Sequence, residues 1–471
     1  MKTLGLLMGA LWMTLHAFSQ NVTQRLDAAV KTMLLQDSSM KHAIMGLYVV
    51  NSNTNEVVYN LNAEMGLAPA SCQKVFTSIA ALDILGKNYR WKTELGYDGK
   101  ITKDTLHGSL HIIGYGDPTF GSWRYAVTKP QLVFNEWIKA VQNLNVHVVE
   151  KNIYFHNGKF SYQPIPGGWI WDDIGNYYGA GHFALNWNEN QYSLVLKTDD
   201  KEGGAVKIVR TEPEVQVIEM GNLLKVGKKG SGDNAYIYLS PYTENGFVAG
   251  TVPAGENEFK ISGSMPYPST SVSNEMYKQF ASNKIEIKDK PIAIDSGIVL
   301  ETKPALCDSI ISRIYSPTLD SVNFHFLRRS VNLYGEAFIK TIAYEKTGFG
   351  STDSGVTIVR RFWQERGIER SALRMIDGSG LSPQNRVTAN SLVTALQYAR
   401  TRDWFSSFYE ALPTYNQMKL KSGTIGGAKS FAGYHKAKDG TEYTIAIIVN
   451  NFDGAASSVV KKMFVVLDEL K

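Results

Sequence analysis

Pro69-Ala70-Ser71-Cys72-Gln73-Lys74-Val75-Phe76, running on through Ile79, Leu82 and Leu85 to Gly86, is the stretch on which the fold turns. Pro69 opens it, the apolar residues recur at helical spacing, and Gly86 closes it. The pattern predicts a helix with Ser71 and Lys74 on one face of its first turns. A serine hydroxyl is a poor nucleophile at neutral pH and needs a base within hydrogen-bond reach. Lys74 can be that base if burial and neighbouring cations lower its pKa enough to populate the neutral amine. Cys72 is the competing nucleophile. No His stands near it in sequence, and it reads as a small residue packed on the buried side of the helix.

Two more short motifs follow in order, Ser330-Val331-Asn332 and Lys421-Ser422-Gly423-Thr424. Any one of the three is common by chance; their order and context carry the specificity. A trio of this kind marks class A β-lactamases and penicillin-binding proteins. Residue chemistry suggests the roles. Ser330 relays a proton between Lys74 and a leaving amine, and Asn332 donates to a substrate amide. Lys421 sets a cation near a substrate carboxylate, with the Ser422 hydroxyl beside it. Gly423 leaves room for substrate along its strand, and the backbone N–H groups of Ser71 and Thr424 form an oxyanion hole. Ser321-Val322-Asn323 duplicates the second motif, but Ser330 is preferred because a helix follows it from about Leu333 to Tyr344. Lys346-Thr347-Gly348 is a literal K-T-G; it ends that helix, with Gly348 as the cap, and lacks a strand.

Val22 to Leu35 reads as a helix, and Ile44 to Val50 with Glu56 to Tyr59 as a hairpin. At the far end Met418 to Lys421, Ser430 to Lys436 and Tyr443 to Val449 read as strands, and residues 455–470 as an amphipathic helix. The implied core is a sheet built from both ends of the chain, with helices against it. Residues 96–298 between them are rich in Gly, Tyr and short alternating strands: Ala205 to Val209, Val215 to Glu219, Ala235 to Leu239 and Glu258 to Ser262. They read as inserted domains.

The chain of 471 residues has room for two or three domains. Its 49 Lys+Arg against 44 Asp+Glu give +5 with no basic tail, which argues against nucleic acid. Lys2, the apolar run Leu4 to Leu15 and the small residues around Ala17 and Ser19 read as an export signal over residues 1–19. That run is too short for a membrane span, and no other stretch supplies one. The His residues show no H-E-x-x-H spacing, so neither a metal nor another cofactor is expected.

The motifs sit among longer stretches: Gly114-Tyr115-Gly116-Asp117-Pro118-Thr119, Gly168-Trp169-Ile170-Trp171-Asp172-Asp173, Ala184-Leu185-Asn186-Trp187-Asn188-Glu189-Asn190, Asp377-Gly378-Ser379-Gly380-Leu381-Ser382 and Ala432-Gly433-Tyr434. With them the chain resembles, almost end to end, the D-alanyl-D-alanine carboxypeptidase/endopeptidases, class C low-molecular-mass penicillin-binding proteins. The resemblance implies an α/β (α+β) transpeptidase/β-lactamase-like domain, its sheet flanked by helices, from residues 20–95 and 299–471. Two mainly β domains would be inserted across 96–298, the third nested in the second at about 190–290. It implies a serine DD-peptidase of the periplasm that attacks peptidoglycan stem peptides through a Ser71 acyl-enzyme, with Lys74, Ser330, Asn332 and Lys421 in the roles above. β-Lactam antibiotics would be covalent inhibitors. Asp173 would pair with the amino group of a stem-peptide diamino acid. A β-lactamase or esterase on the same machinery and a non-catalytic wall-binding protein are the alternatives. Val331 and Ser422 depart from the polar residue and the Thr that are common in relatives.

Several residues have plainer readings. Gly114 to Gly121 lacks the Lys of a phosphate loop and reads as a turn. Trp169 and Trp171 read as core aromatics in preference to sugar-stacking groups, and Asp172 and Asp173, taken without the resemblance, as a turn or N-cap. Asp377 to Ser382 is a tight loop that either turns the chain or contacts substrate.

Overall fold

The computed structural model describes residues 21–215, 219–289 and 306–471, and the backbone of 292–294. The export signal expected at 1–19 and the domain edge expected at 298–299 lie outside them.

The strand Glu442–Asn450 shows why the chain ends meet. Ile445, Ile447 and Val449 face a core shared with Leu26, Val30, Val459 and Met463, while Ala446 and Ile448 face one shared with Val75, Phe76 and Ile79. Side chains alternate along a strand, so a strand apolar on both faces belongs inside a sheet covered on both sides by helices. The sheet is antiparallel throughout, in the order Val57–Leu61, Ile44–Asn51, Glu442–Asn450, Ala428–Lys436, Met418–Ile425, Thr414–Tyr415. Helices Val22–Leu35 and Ala456–Asp468 cover one face. On the other, Lys74–Ile84, Leu319–Arg328, Asn332–Thr347, Thr352–Gln364 and Ala389–Arg400 share one core. The strand expected at Met418 to Lys421 continues to Ile425, so the whole third motif is strand.

The region between carries two cores. One joins residues of the strands Lys92–Tyr97, Leu110–Gly114 and Ile153–His156 to the helices Pro130–Gln142 and Pro268–Ser282. The other lies between two three-stranded sheets. The first is Val206–Glu212, Gln191–Thr198, Phe259–Ser264; the second is Glu219–Val226, Asn245–Val252, Asn234–Tyr238. Lys92–Tyr97 pairs with Ser309–Tyr315 in one five-stranded sheet with Leu110–Gly114 and Ile153–His156, so residues on both sides of the division expected at 96 and 298 share a sheet. Of the strand expected at Val215 to Glu219, residues 216–218 lie outside the described residues. The strand Val206–Glu212 ends just before Pro213, Val215 is not in a strand, and Glu219 belongs to the strand Glu219–Val226.

Candidate active site

The nucleophile motif sits where a 3₁₀ turn, Ala70–Gln73, runs into the helix Lys74–Ile84. Ala70 has φ +45° and Ser330 φ +58°, a left-handed backbone that costs a residue with a side chain about 1–2 kcal/mol. Strain of this kind gathers at functional sites, and here it flanks one cleft on both sides.

Lys74 is 0 % exposed. Its Nζ lies 2.9 Å from Ser71 Oγ, 2.7 Å from Asn332 Oδ1 and 2.6 Å from the Ser379 carbonyl oxygen. Burial, and after it the Lys421 cation, pushes its pKa well below the ordinary lysine value, while Asp377 and Glu336 pull the other way. A neutral amine has two N–H groups and one lone pair. It can donate to Asn332 and Ser379 and accept from the Ser71 hydroxyl, the arrangement a general base requires.

Lys421 is equally enclosed; it donates to Ser330 Oγ at 3.1 Å and to the Ser422 carbonyl at 2.7 Å, and burial pushes its pKa down to about 8. Ser330 thus takes a hydrogen bond from the third motif. The amide nitrogen of Asn332 donates to the Tyr178 carbonyl at 2.8 Å while its oxygen accepts from Lys74, so Asn332 orients the base and ties it to the insert. The role expected for it, donation to a substrate amide, leaves out both bonds. Ser422 Oγ donates to the Tyr415 hydroxyl at 3.2 Å. Thr424 is exposed and accepts from Lys429 at 2.6 Å.

Gly423 needs a different explanation from the one its sequence context suggested. A Cβ there would stand 2.4 Å from the Pro69 carbonyl, 2.5 Å from Ser430 Oγ and 2.8 Å from Ser71 N. The missing side chain lets the strand approach the nucleophile turn, and so brings Thr424 beside Ser71. Cys72 is buried and donates to the Lys421 carbonyl at 3.1 Å; burial raises its thiol pKa, the opposite of what a nucleophilic thiol needs.

Residues that the sequence reading passed over hold this set in place. Glu336, one turn after Asn332, is buried and accepts from Gly378 N and Ser379 N at 3.0–3.2 Å. It thereby aims the carbonyl that binds Lys74; burial and the nearby Asp377 charge push its own pKa up to about 8. The Asp377 carboxylate accepts from Gly380 N, Ser382 N, Gln73 and Trp169 Nε1. Lys340 donates to the carbonyls of Gln163, Pro164 and His182 and pins the insert to the same helix. The available signal was Glu336 and Lys340 at i, i+4 within the largely apolar run of residues 333–343.

A cleft of about 720 Å³ opens over these groups, lined by Ser71, Ser330, Asn332 and Thr424 on one side and by Ile170, Asp173 and Tyr178 on the other. Gly380 and Leu381 also line it, so the Asp377 to Ser382 loop both turns and borders the cleft. Asp173 lies in the short helix Trp171–Ile174 and bonds to the Tyr178 hydroxyl. Burial raises its pKa to about 6. The two tryptophans separate: Trp169 is buried against Asp377, whereas Trp171 is 51 % exposed and corrects the core reading. The duplicate Asn323 is buried in a helix, accepting from Ser78 Oγ at 2.6 Å, and Gly348 caps its helix at φ +80°.

Residues 26–470 match the family model described as D-Ala-D-Ala carboxypeptidase 3 (S13). The chain belongs to that family. By family it is a serine-type DD-peptidase. It is 23 % identical over 454 residues to a D-alanyl-D-alanine carboxypeptidase of Actinomadura sp. (strain R39), covering 91 % of this chain and 81 % of that protein. It is 21 % identical over 430 residues to the D-alanyl-D-alanine carboxypeptidase DacB of Haemophilus influenzae, covering 87 % and 85 %. The crystal structure of penicillin binding protein 4 (dacB) from that organism superposes with a TM-score of 0.79 at 19 % identity, over 96 % of this chain and 99 % of that one. The shared architecture bears out the transpeptidase-like fold.

Proposed function

We propose that this chain is a periplasmic DD-peptidase that cleaves the D-Ala-D-Ala bond of peptidoglycan stem peptides through an acyl-enzyme on Ser71. The observation that carries the reading is the buried Lys74 amine, 2.9 Å from Ser71 Oγ and saturated by its other two partners. In this reading Ser71 Oγ attacks the carbonyl carbon and passes its proton to Lys74. The backbone N–H groups of Ser71 and Thr424 receive the oxyanion. Collapse expels terminal D-Ala, protonated through Ser330, which Lys421 holds. Water then hydrolyses the ester. Lys421, Ser422 and Thr424, on the strand that Gly423 brings close, bind the terminal carboxylate. Opening a cross-link is the same step with a different leaving amine. Asp173 faces the peptide side of the cleft and pairs with an ammonium at the third stem residue.

β-Lactams mimic the scissile amide and would acylate Ser71; a similar fold has been solved as penicillin binding protein 4 complexed with a β-lactam, at TM-score 0.73 and 18 % identity. Among the described residues no helix is long and apolar enough to cross a membrane, and residues 1–19 supply the export route to the periplasm. We place the transpeptidase-like domain at the two chain ends and the insert between them, its edges at the Lys92–Tyr97 and Ser309–Tyr315 pair. The test is D-Ala release from a synthetic pentapeptide ending in D-Ala-D-Ala. Wild type should release one D-Ala per peptide and Ser71→Ala none; equal release by both would overturn the reading.

A further inference from the structure

The sheet Glu219–Val226, Asn245–Val252, Asn234–Tyr238 is buried on one face only. Leu224, Ile237 and Val248 point into the core; Leu223, Tyr236, Tyr238 and Phe247 alternate with them and face outward. Register sets Tyr238 opposite Phe247, and their rings stack at 4.6 Å with 17° between planes. Trp171 reaches over from its short helix to 5.9 Å from Tyr238, whose hydroxyl bonds to Asp172. Trp171, Tyr236 and Phe247 are 51 %, 44 % and 37 % exposed. A row of exposed aromatic rings on a water-facing sheet marks a contact surface.

The strip is continuous with the cleft. Ile170 and Asp173, on either side of Trp171, line the cleft, as does Tyr178, whose phenol feels the Tyr236 hydroxyl next to it. Ile237 N donates to Asn176 Oδ1 at 3.1 Å, so the sheet is bonded to the segment that walls the cleft. The strip is bordered by Asp172 at one end and by Lys225 and Asn234 at the other.

We propose that this face is a saccharide platform that holds the glycan strand from which the stem peptides branch. The proposal rests on the reading that the cleft takes those peptides: a stem in the cleft brings its covalently attached sugars to the cleft's edge. Pyranose rings carry flat C–H faces that pack on aromatic rings and equatorial hydroxyls that need polar groups at the rim. Stacked rings edged by a carboxylate, an ammonium and an amide supply both.

The test uses a peptide-free tetrasaccharide of alternating N-acetylglucosamine and N-acetylmuramic acid, titrated calorimetrically into the mature chain carrying Ser71→Ala. Binding is expected, and Phe247→Ala and Trp171→Ala should each weaken it roughly tenfold. Phe247→Leu, which keeps bulk without a ring, should weaken it similarly. Benzylpenicillin acylation of the same variants with Ser71 restored reports that they are folded. Absence of saccharide binding by folded protein, or binding unchanged in the folded variants, overturns the proposal. Saccharide binding by a wild type that penicillin fails to acylate would keep the platform and remove the catalytic reading.

Discussion

In the proposed mechanism Lys74 acts as a base only while it is neutral, and Lys421 as a carboxylate anchor only while it is charged. The first condition is met above the depressed Lys74 pKa, the second below about 8, where burial has moved Lys421. The pH profile of kcat/KM should therefore be a bell whose alkaline limb falls near about 8. Lys74→Ala should lower acylation by on the order of 10²–10⁴ with the fold intact, measured as the second-order rate with benzylpenicillin. Asp173 ionises above about 6, so preference for a peptide bearing an ammonium over its acetylated twin should grow as pH rises through that value. It should vanish in Asp173→Asn, read as the ratio of KM values. At this scale the Ser71–Lys74 pair was legible because both residues lie within one helical turn. The separate fates of Trp169 and Trp171 were not, since two residues of one type in one turn differ only in what the rest of the fold brings to them.

Between elements, function depends on how closely the third-motif strand approaches the nucleophile turn. Gly423→Ala places a methyl against the Pro69 carbonyl and Ser71 N, both backbone atoms that cannot rotate away. It should push Thr424 from Ser71 and slow acylation on the order of 10²-fold, the size of losing one oxyanion donor. Glu336→Ala leaves the buried N–H groups of Gly378 and Ser379 without an acceptor and frees the carbonyl that holds Lys74. Acylation should fall on the order of tenfold, from the cost of unsatisfied buried donors. The centre of the main sheet was legible in advance because its strands Ile44–Asn51 and Glu442–Asn450 carry apolar residues on both faces. The insert's strands were harder. The second small sheet is buried on one side only, so its strands lack the continuous apolar run that marks a central strand.

Across the whole molecule, insert and catalytic helices meet at a buried carboxylate. Glu189 accepts from Ser122 Oγ and from the Tyr334 hydroxyl, both at 2.7 Å, and pairs with Arg124 at 2.8 Å. Tyr334 lies two residues after Asn332, so this knot links the insert to the second motif. Arg124→Met should cost about 3–5 kcal/mol in denaturant unfolding, because it strands the Glu189 charge. Adding Glu189→Gln should recover part of that loss, which a double-mutant cycle reads directly. None of this was visible along the chain, where Arg124, Glu189 and Tyr334 stand far apart. The central claim, that Ser71 is the residue acylated, is tested most directly by intact-protein mass after incubation with benzylpenicillin. Wild type should gain one lasting adduct and Ser71→Ala none. A folded wild type that gains no adduct, or a Ser71→Ala chain that still gains one, would contradict it.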